Sequence, residues 1–367
     1  EYSGAALQAL TLAGELRQRG CHVEFLTNRW PGLSAEDDAS GFPVHRVEAG
    51  RARKHREFRL WYNLARYVWR RRKDFDILHS HGAYYSCSIV GPLARATGMK
   101  SLVKASLAND DLQDLNRTVI GSIHRWMLDR VDAYIAISQD LAAEFRGGGL
   151  SHEKIHYLPN GVDTARFHPC DSALRAALRR ALGLPADRPI VLYVGVMDRR
   201  KNIQWLTEKW IENGAFGTDA LLLAVGPRSR DDPDRLLIDR LEALSTGHPD
   251  RFQVRGFVND IADYYRAVDV LILPSSREGL PNVVLEAMAT ALPCVAAEAS
   301  GSSELIENGV TGFTYRRDDA ETMSEGLRRC LSPDGCGLGE RGKKVVEDRF
   351  SISAVADGYM ALYRELA

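Results

Sequence analysis

Short apolar runs rich in β-branched residues alternate with helical patterns along this 367-residue chain. The runs predict strands at 22–27, 76–80, 101–105, 133–137 and 155–158, then at 190–194, 220–225, 252–255, 269–273 and 294–297. Helical periodicity falls between them, at 4–19, 84–97, 117–130, 138–146, 202–213, 233–245, 260–267 and 281–291. Continuous apolar strands alternating with helices argue for parallel sheets covered on both faces. The alternation breaks once, over 159–189. There Pro159-Asn160-Gly161 closes the first series, and Leu184-Pro185 precedes the next strand after a leading helix at 172–182. The pattern predicts an α/β protein of two Rossmann-like halves. The first spans 1–165 and the second 170–350, followed by a helix within 351–367. Doubly wound sheets place a cleft at the carboxyl ends of their strands. The chain opens on a helix with no strand before it, so the first strand of the N-terminal sheet is expected to lie outside this sequence.

Composition fits two soluble cores: 45% of residues are hydrophobic and 26% charged. No run approaches the ~18 apolar residues of a membrane span. Six scattered cysteines without Cys-x-x-Cys spacing point to free thiols and a cytoplasmic setting. The charge is uneven. Residues 1–160 carry 22 Lys and Arg against 18 Asp and Glu, and segment 51–73 alone holds ten basic residues and one acid, Glu57. That segment reads either as a solvated helix face, with Trp61, Leu64 and Val68 toward the core, or as a basic, aromatic-bearing helix at an anionic membrane surface. A pI near 6.9 and the lack of a nucleic-acid motif argue against nucleic acid.

The stretch 270–297 carries the most chemistry. A buried strand leads into Glu278-Gly279-Leu280-Pro281-Asn282, then a helix holding Glu286. Pro281 suits a first helical turn, Gly279 lets backbone approach a ligand, and the helix start favours an anion such as a diphosphate. A glycosidase pair is excluded by size. Residues eight apart on a helix lie ~12 Å apart, whereas a hydrolase holds its carboxyls ~5–9.5 Å apart. The two acids would instead accept hydroxyl hydrogen bonds from different parts of one ligand, or simply cap a helix. After the strand at 190–194, Gly195 precedes a loop with Arg200 and Lys201, a suitable clamp for a leaving diphosphate. The P-loop signature is absent. His79 and His81, at a strand end, read as acceptor contacts or as packing.

These residues together resemble a family 4 retaining glycosyltransferase of the GT-B fold. The resemblance rests on Glu278 and Glu286 within EGLPNVVLEAMA, Pro159-Asn160-Gly161-Val162-Asp163 with Phe167 and Pro169, RKN at 200–202, Gly256 in VRGFV, and GSSELIENGVTGF at 301–313. It covers the whole chain except a first strand, and it implies that the helix within 351–367 crosses back to the first half, which binds the acceptor while the second half binds the nucleotide sugar. It implies transfer of a sugar from a UDP- or GDP-sugar to a glycan or lipid-linked acceptor, with retention and without a metal or other cofactor. Glu278 would contact the transferred sugar and Glu286 the donor ribose. Arg200 and Lys201, with Gly195 and the backbone from Gly279 through Leu280, Pro281 and Asn282 to Val283, would hold the diphosphate. Gly256 to Val258 would line the base pocket. Gly4, His81 and Lys104 are the acceptor-side candidates. Three departures stand out: Gly195-Val196 in place of Gly-Arg, KASLANDD at 104–111 without a His, and a first glycine loop reduced to Ser3-Gly4. Two alternatives stay open: another GT-B chemistry (a sugar-nucleotide epimerase or a phosphorylase) and a non-catalytic nucleotide-sugar-binding protein.

Overall fold

The computed structural model describes residues 4–49, 56–85, 87–107, 119–229, 234–299 and 301–367. The acid pairs Asp110-Asp111 and Asp231-Asp232, residues 51–55 of the basic segment, and Ser3 lie outside the described residues. The chain divides into two compact units, residues 1–161 with 352–367, and residues 162–351.

The first unit runs α1 (Gly4–Gln18), β1 (Phe25–Arg29), β2 (Glu36–Ala39), β3 (Phe42–Glu48), α2 (Arg56–Arg70), β4 (Ile77–His81), α3 (Val90–Thr97), β5 (Lys100–Lys104), α4 (Val119–Leu128), β6 (Ala133–Ala136), α5 (Gln139–Gly147) and β7 (Ile155–Tyr157). The second runs α6 (Ser172–Ala181), β8 (Ile190–Val194), α7 (Ile203–Glu212), β9 (Leu221–Val225), α8 (Arg235–Gly247), β10 (Phe252–Arg255), α9 (Ile261–Ala267), β11 (Val270–Leu273), α10 (Asn282–Ala289), β12 (Cys294–Ala297), α11 (Ser302–Leu305), β13 (Phe313–Tyr315), α12 (Ala320–Cys330) and α13 (Gly335–Arg349). Helix α14 (Ile352–Leu366) then returns to the first unit.

In the first unit β4, β5, β6 and β7 form a parallel sheet. A separate three-stranded sheet has the order β1-β3-β2, with β2 antiparallel to β3. The pattern did not predict this hairpin, and the strand expected at 22–27 occupies Phe25–Arg29 instead. Before it, Glu24 is drawn into a side-chain cluster with Arg71, His22 and His45. Helices α1 and α14 cover one face of the parallel sheet, with Leu12, Leu16, Val355, Ala356 and Tyr359 packed over Leu102 and Ile135. The return is tight. A Cβ on Gly161 would sit 2.8 Å from the Ile352 Cα, and Gln8 Nε2 donates to the Gly161 carbonyl at 2.9 Å. The glycine of Pro159-Asn160-Gly161 is therefore set by close approach.

The second unit is a six-stranded parallel sheet in the order β10-β9-β8-β11-β12-β13. Strands β9, β11 and β12 are buried at every position, as their unbroken apolar sequences require of a sheet covered on both sides. Asp171 caps α6, and Asp269 fastens that helix to the sheet by ion pairs of 2.6 Å to both Arg175 and Arg179. The same carboxylate accepts from Ile190 N at 2.7 Å. The polar stretch before β8 is thus anchored rather than loose. The strand order reverses between β8 and β11, which makes their carboxyl ends the switch point where doubly wound sheets bind ligands. No described helix is long and apolar enough to cross a membrane.

Candidate active site

The loops after β8 and β11 are laced together at the switch point. Asp198 caps the turn Arg199–Lys201 by accepting from Lys201 N at 2.8 Å. Ser276 returns two hydrogen bonds to the Arg200 carbonyl, from N at 3.1 Å and from Oγ at 3.0 Å. Lys201 Nζ lies 2.6 Å from Glu278 Oε1, and Arg200 Nη1 lies 3.8 Å from Oε2 and donates to the Arg277 carbonyl at 3.1 Å. Glu278 is only 7% exposed, so its charge is tolerable because two cations face it. Arg200, Lys201 and Glu278, expected from sequence on separate grounds, form one cluster across 77 positions.

Two glycines set the backbone around it. A Cβ on Gly226, after β9, would fall 2.0 Å from the Gly195 carbonyl oxygen, so the ends of β8 and β9 meet through glycine. Gly301 has φ +77°, and a Cβ there would fall 2.2 Å from the Gly279 carbonyl oxygen. The 301–313 run thus supports the Glu278–Pro281 loop from behind.

Pro281 stands one position earlier than expected. It is the N-cap of α10, in extended geometry at φ −73° and ψ 109°, and the helix begins at Asn282. Lacking an N–H, it offers no donor to an anion and contributes only the loop's shape. Leu280 is buried at 4% exposure, while Asn282 and Val283 are half-buried in the first turn. Gly256 and Val258 follow β10, in a loop where the Gly256 carbonyl accepts from Gly226 N at 3.2 Å. Glu286 projects from α10 and accepts from Tyr265 Oη at 2.8 Å. Burial raises its pKa to about 7, partly offset by the Tyr265 hydrogen bond and the charge of Arg166. Tyr265, Asp198 and Ser276 were not foreseen. Only Asp198 left a signal, an acid one residue before a basic turn.

In the first unit, the acceptor-side candidates His81 and Lys104 are register partners at the carboxyl ends of β4 and β5. Lys104 is 4% exposed, with its ammonium 5.6 Å from the Tyr359 ring centroid, and burial lowers it to about 7. His79 stacks on His81 at 4.6 Å and shares a 2.9 Å hydrogen bond between Nδ1 and Tyr363 Oη. Burial, then the Lys104 charge, brings His79 down to about 3, and burial with both neighbours also lowers His81, so both rings are neutral at pH 7. His79 is therefore a packing residue, whereas His81 and Lys104 end the strands. Gly4 is the exposed first residue of α1. No cluster of three His, Cys, Asp or Glu among the described residues would hold a metal ion, and the six cysteines are free thiols.

Two Rossmann-like units, with α14 returning to the first, make this a GT-B glycosyltransferase architecture. Among solved structures, sucrose-phosphate synthase of Thermosynechococcus elongatus superposes with a TM-score of 0.82 at 25% identity, over 99% of this chain and 94% of its own. The Anabaena protein HepE, solved with UDP and glucose, gives 0.80 at 18% identity, over 100% and 97%. Residues 2–166 match the family described as Glycosyltransferase Family 4, and residues 188–333 match Glycosyl transferases group 1. The D-inositol 3-phosphate glycosyltransferase of Acidothermus cellulolyticus is 31% identical over 314 residues, which span 79% of this chain and 67% of that protein. The chain belongs to glycosyltransferase family 4, and it is a transferase enzyme.

Proposed function

We propose that the protein moves a glycosyl group from a nucleotide-diphosphate sugar, a UDP- or GDP-sugar, to a hydroxyl of a glycan or lipid-linked acceptor, with retention and without a metal. The observation that carries this reading is the Lys201–Glu278–Arg200 cluster at the switch point of the second unit. Two cations stand where a diphosphate leaves, and a carboxylate stands where sugar hydroxyls are read. Arg200, Lys201 and the first turn of α10 take the diphosphate, with Gly195 allowing close approach. Glu278 accepts from the transferred sugar, Glu286 accepts from the ribose, and Gly256 to Val258 line the base. As the sugar–phosphate bond breaks, charge grows on the leaving oxygen, and fixed cations lower that barrier most. The departing diphosphate takes the acceptor proton, so no protein nucleophile is needed. Neighbours point the same way: HepE of the same fold is solved with UDP-glucose, and relatives are named for transfer to D-inositol 3-phosphate.

The test is thermal stabilisation by UDP, GDP, ADP and their sugars, comparing wild type with Glu286→Ala. A shift for one base family that the variant loses supports the donor site. No shift for any of them would sink it, and proton NMR of the product's anomeric centre tests retention.

A second element concerns the acceptor side. Helix α2 exposes Phe58, Tyr62 and Trp69, at 67%, 65% and 51%, beside its arginines, which favours peripheral contact with an anionic membrane. Arg71 is not part of that contact. It is held by Glu24 and Asp74, and Arg72 is folded over the Trp69 ring. Weaker binding of Phe58→Ser/Trp69→Ser protein to anionic liposomes is the expected result, and equal binding would remove the idea.

A further inference from the structure

A pocket of about 580 Å³ opens wholly within the first unit, where β1 and β3 end against α2. Arg29 closes β1 and Glu48 closes β3, and α2 turns one face toward them with Arg59, Asn63, Arg66 and Arg70 at helical spacing. Five guanidinium groups line the pocket, Arg71 being the fifth, against the single carboxylate of Glu48.

The partners of these groups are unequal. Glu48 is shared by Arg29 at 3.5 Å and Arg59 at 3.0 Å. Arg71 is spent on Glu24, at 3.0 Å to Oε1, and on Asp74 at 2.9 Å; against burial, which pushes it up, Arg71 with His22 and His45 holds the Glu24 carboxyl down at about 2. Asn63 Nδ2 donates to the Glu48 carbonyl at 2.8 Å, which pins α2 to the end of β3 and fixes the pocket's width. Arg66 and Arg70 are left with no ion pair or hydrogen bond among the described residues. They stand one turn apart, where like charges oppose the helix unless an anion sits between them. Paired guanidinium forks match the oxygens of a phosphate, and the space holds a small phosphorylated polyol or a lipid headgroup.

We propose that this pocket binds the phosphate group of a phosphorylated acceptor, gripped by Arg66 and Arg70 with Arg29 and Arg59 at its sides. The proposal rests on the reading of the first unit as the acceptor-binding half. It deepens that reading by naming the acceptor's chemical class.

The experiment titrates the full chain with glycerol 3-phosphate, inorganic phosphate and glycerol by calorimetry. A parallel arm uses vesicles of phosphatidylcholine with and without phosphatidylglycerol. Variants are Arg66→Gln/Arg70→Gln and, as a charge-matched control elsewhere on the unit, Arg95→Gln/Arg130→Gln. Both phosphate probes are expected to bind and glycerol not to. The pocket variant should lose at least tenfold in affinity while the control and nucleotide stabilisation stay unchanged. Vesicle binding lost in the same variant assigns the phosphate to a lipid headgroup; vesicle binding absent or unaffected assigns it to a soluble acceptor. Equal losses in the two variants, or vesicle binding without either phosphate probe, would overturn the site in favour of a diffuse basic surface. Because nucleotide stabilisation is read separately, a failed donor site and a failed phosphate pocket give different results.

Discussion

Replacing Lys201 by Met tests the donor site at its most constrained contact. The Lys201 and Glu278 side chains are 14% and 9% exposed and lie 2.6 Å apart. Removing one partner of a buried pair typically costs about 3–5 kcal/mol, because the other charge stays behind. Arg200 remains 3.8 Å from Glu278, so the lower end, about 3 kcal/mol, is expected. For a unit of this size each kcal/mol moves the midpoint by ~2–4 °C, giving a fall of ~6–12 °C in a thermal scan without ligand. A lost charge-assisted hydrogen bond to the diphosphate adds about 1.5–3 kcal/mol to binding, or roughly 10- to 100-fold in Kd for the nucleoside diphosphate. Glu278→Gln separates the two roles. It frees both cations, so the diphosphate should bind as tightly as before or tighter, while glycosyl transfer falls by ~100-fold or more. Lys201→Met protein that is destabilised yet binds nucleotide within twofold of wild type would refute the reasoning. Lys201 would then be a structural counter-ion, and the diphosphate would lie elsewhere.

Three further outcomes follow from particular side chains. Glu286 is raised to about 7, and ribose hydroxyls favour its carboxylate, so nucleotide affinity should rise up to ~10-fold from pH 6 to pH 8; calorimetry across that range should show a flat profile for Glu286→Gln. Gly301 and Gly309 share φ +77°, but only at Gly301 would a Cβ strike backbone, 2.2 Å from the Gly279 oxygen. Gly301→Ala should therefore lower nucleotide affinity and cost at least about 1 kcal/mol more than Gly309→Ala in urea unfolding. Lys104 is lowered to about 7 from 10.5, so its burial destabilises the fold fully below pH 7 and not at all above 10.5. Lys104→Met should accordingly raise the melting temperature at pH 6.5, with the gain shrinking toward pH 10.

The second unit was readable because its strands carry the signal themselves. IVLYV and ALLLAV are buried on both faces, and nothing but a covered parallel strand suits them. The hairpin β2–β3 was not readable, since Glu36–Ala39 is a strand of three acids at an exposed edge, and its pairing owes nothing to apolar pattern. At the site, residue types were legible and partnerships were not. Glu278, Arg200 and Lys201 each announced a chemistry, but that Lys201 grips Glu278 across 77 positions follows only from the neighbouring of β8 and β11. Tyr265 is one of two adjacent tyrosines in IADYYRA, and its hydrogen bond to Glu286 depends on α9 lying beside α10.

That partnership changes what the two cations imply. Without donor, Arg200 and Lys201 are balanced locally by Glu278 and Asp198, the last 3.7 Å from Arg200. A nucleoside diphosphate brings more negative charge than one carboxylate, so under the proposed reading it competes with Glu278 for the Lys201 ammonium. Winning that competition leaves a carboxylate that is 7% exposed and short of a partner. Such a group must find new donors, and the hydroxyls of the transferred sugar are at hand. Nucleoside diphosphate without a sugar displaces Glu278 but gives it no replacement. The intact nucleotide sugar supplies both halves of the exchange, which offsets part of the advantage that the greater negative charge of the spent diphosphate gives it at the two cations.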